Sequence, residues 1–178
     1  LLTDVNAILT DAGNNISGHG TELVTITDAT VSAAALATLL VDGAGLTSAD
    51  VTIAASTIEG TAAEVDAIIA ANGLVVEHDT DHSATVTGLA AINVTLTGTP
   101  TASEVNAVAT RTTGTVTASI VGTQTMANLL AGLTETTGHA LTISLADADV
   151  TAANLNTLST LTTGTIALDT AATAGVQS

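Results

Sequence analysis

One phrase returns along this chain and limits what the chain can fold into. Thr61-Ala-Ala-Glu64-Val65-Asp66-Ala-Ile68-Ile69 and Thr101-Ala-Ser-Glu104-Val105-Asn106-Ala-Val108-Ala109 match almost position for position, and Thr151-Ala-Ala-Asn154-Leu155-Asn156-Thr-Leu158 repeats them. Looser copies begin at Ser32 and Thr125, and the opening Leu1-Leu-Thr-Asp4-Val5-Asn6-Ala-Ile8-Leu9 fits the same register. The copies start at 1, 32, 61, 101, 125 and 151, so their spacings are 31, 29, 40, 24 and 26 residues. Self-similarity at such periods marks an array of units, each too small to bury its apolar face except against the next.

Within each copy apolar residues fall at i, i+3 and often i+4, one face of a helix about ten residues long. Thr61 with Glu64, and Thr101 with Glu104, have the spacing of a capping box, in which hydroxyl and carboxylate satisfy two free amides reciprocally. Ser32, Thr125 and Thr151 have the chemistry of caps without the returning Glu. Helices this short are marginal alone in water and need a surface to pack on. Segments of alternating apolar and small or polar residues lie between them, at 24–27, 51–54, 93–97, 116–120, 141–145 and 165–169. In these, Val24/Ile26, Val51/Ile53, Val94/Leu96, Val116/Ala118, Leu141/Ile143 and Ile166/Leu168 are expected to face inward. Gly114, Gly138 and Gly164 each close a Thr-Thr-Gly triplet and are expected to end a helix in the left-handed conformation.

One strand and one helix per unit of about 25 residues predicts parallel strands joined by helical crossovers. The expected class is α/β: residues 1–178 as a single-domain β/α solenoid, with its six strands in one parallel sheet and an inserted loop at about 74–91. A β-helix is the alternative, opposed by the capped segments at helical spacing. The composition agrees with a narrow interior. The chain has no Phe, Tyr, Trp or Cys and 46% hydrophobic residues, so its core is Ala, Val, Leu and Ile.

The formal charge is −16, from 17 carboxylates against one cation, Arg111. Nucleic acid needs cations on its phosphates and is excluded as a partner; anionic membrane surfaces are disfavoured likewise. No apolar run reaches the length of a membrane span. A chain almost without Lys and Arg offers few tryptic cleavage sites, which suits an extracellular or cell-surface location. The carboxylates serve solubility, or calcium, which prefers oxygen ligands.

Thr101-Ala-Ser-Glu-Val-Asn-Ala-Val-Ala-Thr-Arg-Thr-Thr-Gly-Thr115 and Val150-Thr-Ala-Ala-Asn-Leu-Asn-Thr-Leu-Ser-Thr-Leu-Thr-Thr-Gly-Thr-Ile166 resemble tandem repeats of very large secreted bacterial surface proteins, notably cyanobacterial ones. Such repeats stand in surface-layer or adhesin-like chains, often beside hemolysin-type calcium-binding modules. The resemblance is clear over 92–170 and weaker over 1–91. It implies an extracellular structural role and brings no catalytic residues. The calcium nonapeptide G-G-x-G-x-D is absent, so calcium of the hemolysin type is not implied.

The long spacing after Thr61 holds about 15 extra residues centred on Glu77-His78-Asp79-Thr80-Asp81-His82, read as a protruding hairpin or extended loop. Glu77, His78, Asp79, Asp81 and His82 form the candidate metal set; zinc would favour the two His with a carboxylate, calcium the carboxylates. The bland alternative is a solvated tip whose charges keep a strand edge from aggregating. His19 and His139 read as exposed loop residues, and Asp147 and Asp149 as groups favouring the dipole of the following helix rather than as calcium ligands. Asn6, Asp66, Asn106 and Asn156 share one register position, in a ladder between units or at the surface. Asn15-Ile-Ser17 and Asn93-Val-Thr95 fit the glycosylation sequon.

No nucleophile elbow, zinc-protease helix, phosphate loop or thiol appears, and no enzyme activity or required cofactor is expected. Thr25, Thr52, Thr95, Thr117 and Thr142 are expected in one hydroxyl column, with Thr27, Thr97, Ser119 and Ser144 beside them, a face suited to glycan or ice. The register starts the chain inside a helical segment and stops it after a strand. The expected partners are therefore neighbouring repeats of a longer chain, or further copies stacking head to tail into a filament.

Overall fold

The computed structural model describes residues 24–41, 51–72, 75–79, 82–121, 124–135, 138–145 and 150–168. In chain order the elements are β1 (Val24–Ile26), β2 (Thr30–Ser32), α1 (Ala33–Val41), β3 (Val51–Ile53), β4 (Thr57–Gly60), α2 (Ala62–Ala70), β5 (Val75–Asp79), β6 (His82–Thr87) and β7 (Asn93–Leu96). There follow α3 (Ala102–Ala109), β8 (Val116–Ile120), α4 (Met126–Gly132), β9 (Ala140–Leu145), α5 (Ala152–Thr160) and β10 (Ile166–Leu168). The first copy of the repeated phrase, and the Asn6 and His19 assignments, lie outside the described residues.

The repeated phrase is helical wherever it is described. Both capping boxes close: the Thr61 amide donates to Glu64 Oε2 at 2.8 Å and the Glu64 amide to Thr61 Oγ1 at 3.4 Å. The Thr101–Glu104 pair repeats this at 2.7 and 3.3 Å. Thr125 and Thr151 accept the amides of Asn128 and Asn154 without a returning carboxylate. Ser32 instead ends strand β2, directly ahead of α1.

The expected single sheet is two sheets, of four and six strands. The smaller has the order β1-β3-β6-β5, and the larger the order β10-β9-β8-β7-β4-β2. Strands 24–26 and 51–53 therefore do not share a sheet with the four strands that follow 92. The difference comes from β2 and β4, each of which buries one residue, Val31 or Ile58, too short a run to show an alternation. The units carrying them take two strands to cross the core. From Val31 to Ile58 is 27 residues, whereas Val94 to Val116 is 22 and Ile120 to Ile143 is 23. In the 94–116 unit the Thr112-Thr113-Gly114 turn stands where the first strand would be. Pairing is parallel in every case except β5 with β6. Five helices among the described residues set aside the β-helix alternative.

The core lies between the inward columns of the strands and the apolar faces of the helices. Val94, Leu96, Val116, Ala118, Ile120, Leu141, Ile143 and Leu145 are buried. They meet Val65, Ile68, Val105, Val108, Met126, Leu129 and Leu158. Burying each Val, Leu or Ile contributes about 1.5–3 kcal/mol, which is how short helices of poor intrinsic stability are held. Ile166 and Leu168 are half-buried, and Ile26, Val51 and Ile53 are buried as expected. Each helix packs on the next in chain order, α1 through α5.

Candidate functional surface

The segment after α2 forms an antiparallel pair, β5 with β6, and β6 also joins β3 in parallel. The 75–87 segment is thus both a hairpin and a further strand of the smaller sheet. Asn72 ties its base, accepting the Leu89 amide on Oδ1 at 2.9 Å. Of the metal set, Glu77, His78 and Asp79 lie on β5 and His82 opens β6. The register sets Asp79 opposite His82 and Glu77 opposite Ser83, with an irregularity between Glu77 and Asp79. Asp81 lies outside the described residues, as do the side chains of Glu77, His78, Asp79 and His82. Asp147 and Asp149 also lie outside them.

The hydroxyl column differs from the expected one. Thr25, Thr52 and Thr87 form a short column on the smaller sheet, with Thr52 and Thr87 Oγ1 3.5 Å apart. On the larger sheet Thr95 opposes Thr117, but Thr142 opposes Ser119. Two sheets and a two-residue register offset break the single column. The outward positions of β7 to β10 are Asn93, Thr95, Thr117, Ser119, Ala140, Thr142, Ser144 and Ala167, none of them charged. The charge-free patch stops at β4, where Glu59 opposes Thr95.

Polar residues at the turns are engaged between units. Thr112 and Thr162 are only 7% and 8% exposed. Thr162 Oγ1 donates to the Leu141 carbonyl at 2.9 Å and accepts the Leu141 and Gly164 amides, each at 2.9 Å. Thr112 Oγ1 donates to the Ile92 carbonyl at 2.7 Å and accepts the Gly114 amide at 3.0 Å. Gly114 and Gly164 are not left-handed, contrary to expectation; only Gly138 of the three has positive φ, at +90°. The other two are glycine because a Cβ would stand 2.2 Å from the carbonyl oxygen of Ile92, just before β7, or of Leu141 in β9.

The shared Asp/Asn position also works between units. Asn106 Oδ1 accepts the amides of Thr134 and Glu135 at 2.9 and 2.8 Å, in the turn that follows the next helix. Asp66 meets Arg111, in the turn after α3, as an ion pair. Asp66 Oδ1 is covered and without a hydrogen-bond partner, and the Arg111 guanidinium beside it is its counter-charge. Asn93 Oδ1, from the sequon, accepts the Thr115 amide at 2.9 Å.

His139 is half-buried rather than an exposed loop residue. Its Nδ1 accepts the Val116 amide at 3.0 Å. Burial pushes the imidazole below the usual histidine range, against a smaller opposing effect of its bond to the Glu135 backbone. The carboxyls of Glu64 and Glu104 are held below the usual carboxylate range, first by the Thr61 and Thr101 amides and then by the hydroxyls. Shallow grooves separate neighbouring helices, one lined by Ala62, Ala63, Asp66, Glu104 and Ala107. No group of three or more His, Asp or Glu among the described residues is arranged to hold a metal. No helix among them is long and apolar enough to cross a membrane. Comparison with protein-family models, curated proteins and solved structures gives no match.

Proposed function

We propose that this chain is a β/α solenoid acting as a non-enzymatic structural repeat segment of an extracellular bacterial surface or filament-forming assembly. The observation that carries the reading is the strand order: β2, β4, β7, β8, β9 and β10 lie side by side in chain order, and the helices between them pack in the same order. A unit touching only its neighbours makes length a matter of unit number, which is what a spacer or building block requires. The bacterial surface setting is supported by the resemblance of 92–170 and by the near-absence of Lys and Arg.

Excising residues 121–143 tests the repeat reading, because it removes one 23-residue unit and fuses β8 to β9 in register. The shortened protein is expected to keep its far-ultraviolet circular dichroism per residue and to unfold in urea with a slope reduced in proportion to the surface lost. A chain that no longer folds would count against stacked units. A second reading, a binding module, is favoured by the uncharged outward positions of β7 to β10 on a chain of net charge −16. Thermal hysteresis for ice and a glycan array test it; a response abolished by Thr117→Lys and Thr142→Lys is its expected form, and silence in both assays removes it.

A further inference from the structure

We propose that His139 is a proton-operated latch between β8 and β9, closed while Nδ1 carries a lone pair and opened at mildly acidic pH when that nitrogen takes a proton. Val94 pairs with Val116 in register, and the Val94 amide donates to the carbonyl just before its partner, that of Thr115, at 2.9 Å. Ile143 does the same with Thr165, one residue before Ile166. One step before the Thr117–Ala140 pair, Val116 stands opposite His139. There the acceptor is the imidazole Nδ1 at 3.0 Å. A side chain has taken over a main-chain rung, at the position where the preceding strands carry Val116, Val94 and Ile58.

An Nδ1 that accepts leaves the neutral ring's proton on Nε2. A proton on Nδ1 would place two donors against each other, the ring N–H and the Val116 N–H, within a half-buried site. The Val116 amide would then lose its partner, and the first rung between β8 and β9 would part. Further along, the strands are held by pairs from Thr117–Ala140 to Ile120–Ile143, so the opening is confined to one end. The far side of His139 is anchored by its own carbonyl, which accepts the Thr163 amide at 2.8 Å and its hydroxyl at 3.0 Å. Among the described residues, the charged groups on the elements around the ring are Glu135, in the turn after α4, and Arg111, in the turn before β8 and paired with Asp66. Strands β8, β9 and β10 and helices α4 and α5 carry none. The burial that disfavours the charged ring delays opening to below the ordinary histidine range.

The test is amide hydrogen exchange at Val116 as a function of pH, with the ring's nitrogen shifts followed by NMR on the same full chain. After correction for intrinsic exchange, protection at Val116 is expected to fall about tenfold per pH unit from 6.5 down to the His139 midpoint and to level off below it. Protection at Ala118 is expected to stay level. His139→Asn supplies an amide oxygen that accepts and does not titrate, so its Val116 protection is expected to be flat across the same range. Glu135→Gln keeps the backbone and removes the carboxylate in that turn; the pH dependence is expected to persist. A midpoint at or above the ordinary histidine value of 6.5, a proton residing on Nδ1 in the neutral ring, or the same pH dependence in His139→Asn would each overturn the proposal. The wild-type ring shifts give the first two results without any variant, and they hold or fail independently of the solenoid reading.

Discussion

Replacing Thr162 by Val tests how far the turns hold successive units together. The change keeps the shape of the side chain and removes one hydroxyl. That hydroxyl accepts two amides, those of Leu141 and Gly164, and donates to the Leu141 carbonyl, all at 2.9 Å. Leu141 is fully buried, so its amide is left without an acceptor and without water, a loss of about 1–3 kcal/mol. Gly164 is exposed and its amide can turn to solvent, which limits its share to about 0.5–1 kcal/mol. The expected total is about 1.5–4 kcal/mol, or roughly 3–16 °C in Tm for a chain of this size. Thr163→Val is the control: its hydroxyl is exposed, bonds only the His139 carbonyl, and its loss should cost under about 1 kcal/mol. Thr112→Val should fall between them, because Thr112 accepts one amide where Thr162 accepts two. Without Trp, Tyr or Phe there is no intrinsic fluorescence of use, so urea unfolding is followed by far-ultraviolet circular dichroism, with exchange at Leu141 as the local reading. A Thr162→Val protein no less stable than Thr163→Val, or more stable than Thr112→Val, would show that the amides held by this hydroxyl do not set the stability of the turn.

Gly164→Ala should destabilise by about 3 kcal/mol or more, since its Cβ meets main-chain atoms that cannot swing aside, whereas Gly138→Ala meets nothing within 4 Å and should cost only the left-handed strain of about 1–2 kcal/mol. Urea midpoints in the reverse order would show that the close approach is not what requires glycine. The capping boxes give an acid limb: with the Glu64 and Glu104 carboxyls held below 4.5 in the fold, their stabilisation is present above that value and is lost as pH falls through the folded values. In Glu64→Gln/Glu104→Gln, where the amide still reaches the cap, the slope of stability against pH below 4.5 should flatten; an unchanged slope would place the acid sensitivity elsewhere.

The helices were legible because two independent signals coincide in them, the Thr-x-x-Glu cap and the apolar spacing that buries Val65, Ile68, Val105 and Val108. The inward residues of the larger strands were legible for a similar reason, alternation over five or six residues. Strands β2 and β4 were not, because a three- or four-residue strand with a single buried side chain has no period to detect. With those two strands hidden, two sheets read as one, and hydroxyls that lie on different sheets read as one column. The reason for Gly114 and Gly164 was hidden too: the demand comes from a carbonyl about one unit earlier, not from the local turn. His139 looks like any loop histidine until Val116, 23 residues upstream, is set beside it. The acidic and histidine set at 77–82 is the reverse case, conspicuous in the sequence, with only the backbone opposition of Asp79 and His82 to set beside it.

Chemistry at the turns varies more freely than the core, and the register explains why. A parallel ladder whose strands begin at different heights leaves main-chain amides at the strand starts and in the turns before them beyond the reach of a neighbouring carbonyl. Each such amide requires an oxygen or nitrogen lone pair in the right place, and nothing about the rest of the side chain follows from that. Asn72 answers for Leu89, Asn93 for Thr115, Asn106 for Thr134 and Glu135, His139 for Val116, and Thr162 for Leu141. Shape, by contrast, is dictated wherever side chains fill the interior between sheet and helix, and there Val65 and Val105 stand at equal positions with nothing but methyls to offer. The polar side chains spent on these bonds are withdrawn from outside chemistry. Among the described residues, the outward row of β7 to β10 keeps Thr117, Ser119 and Thr142 facing solvent, outside these turn bonds.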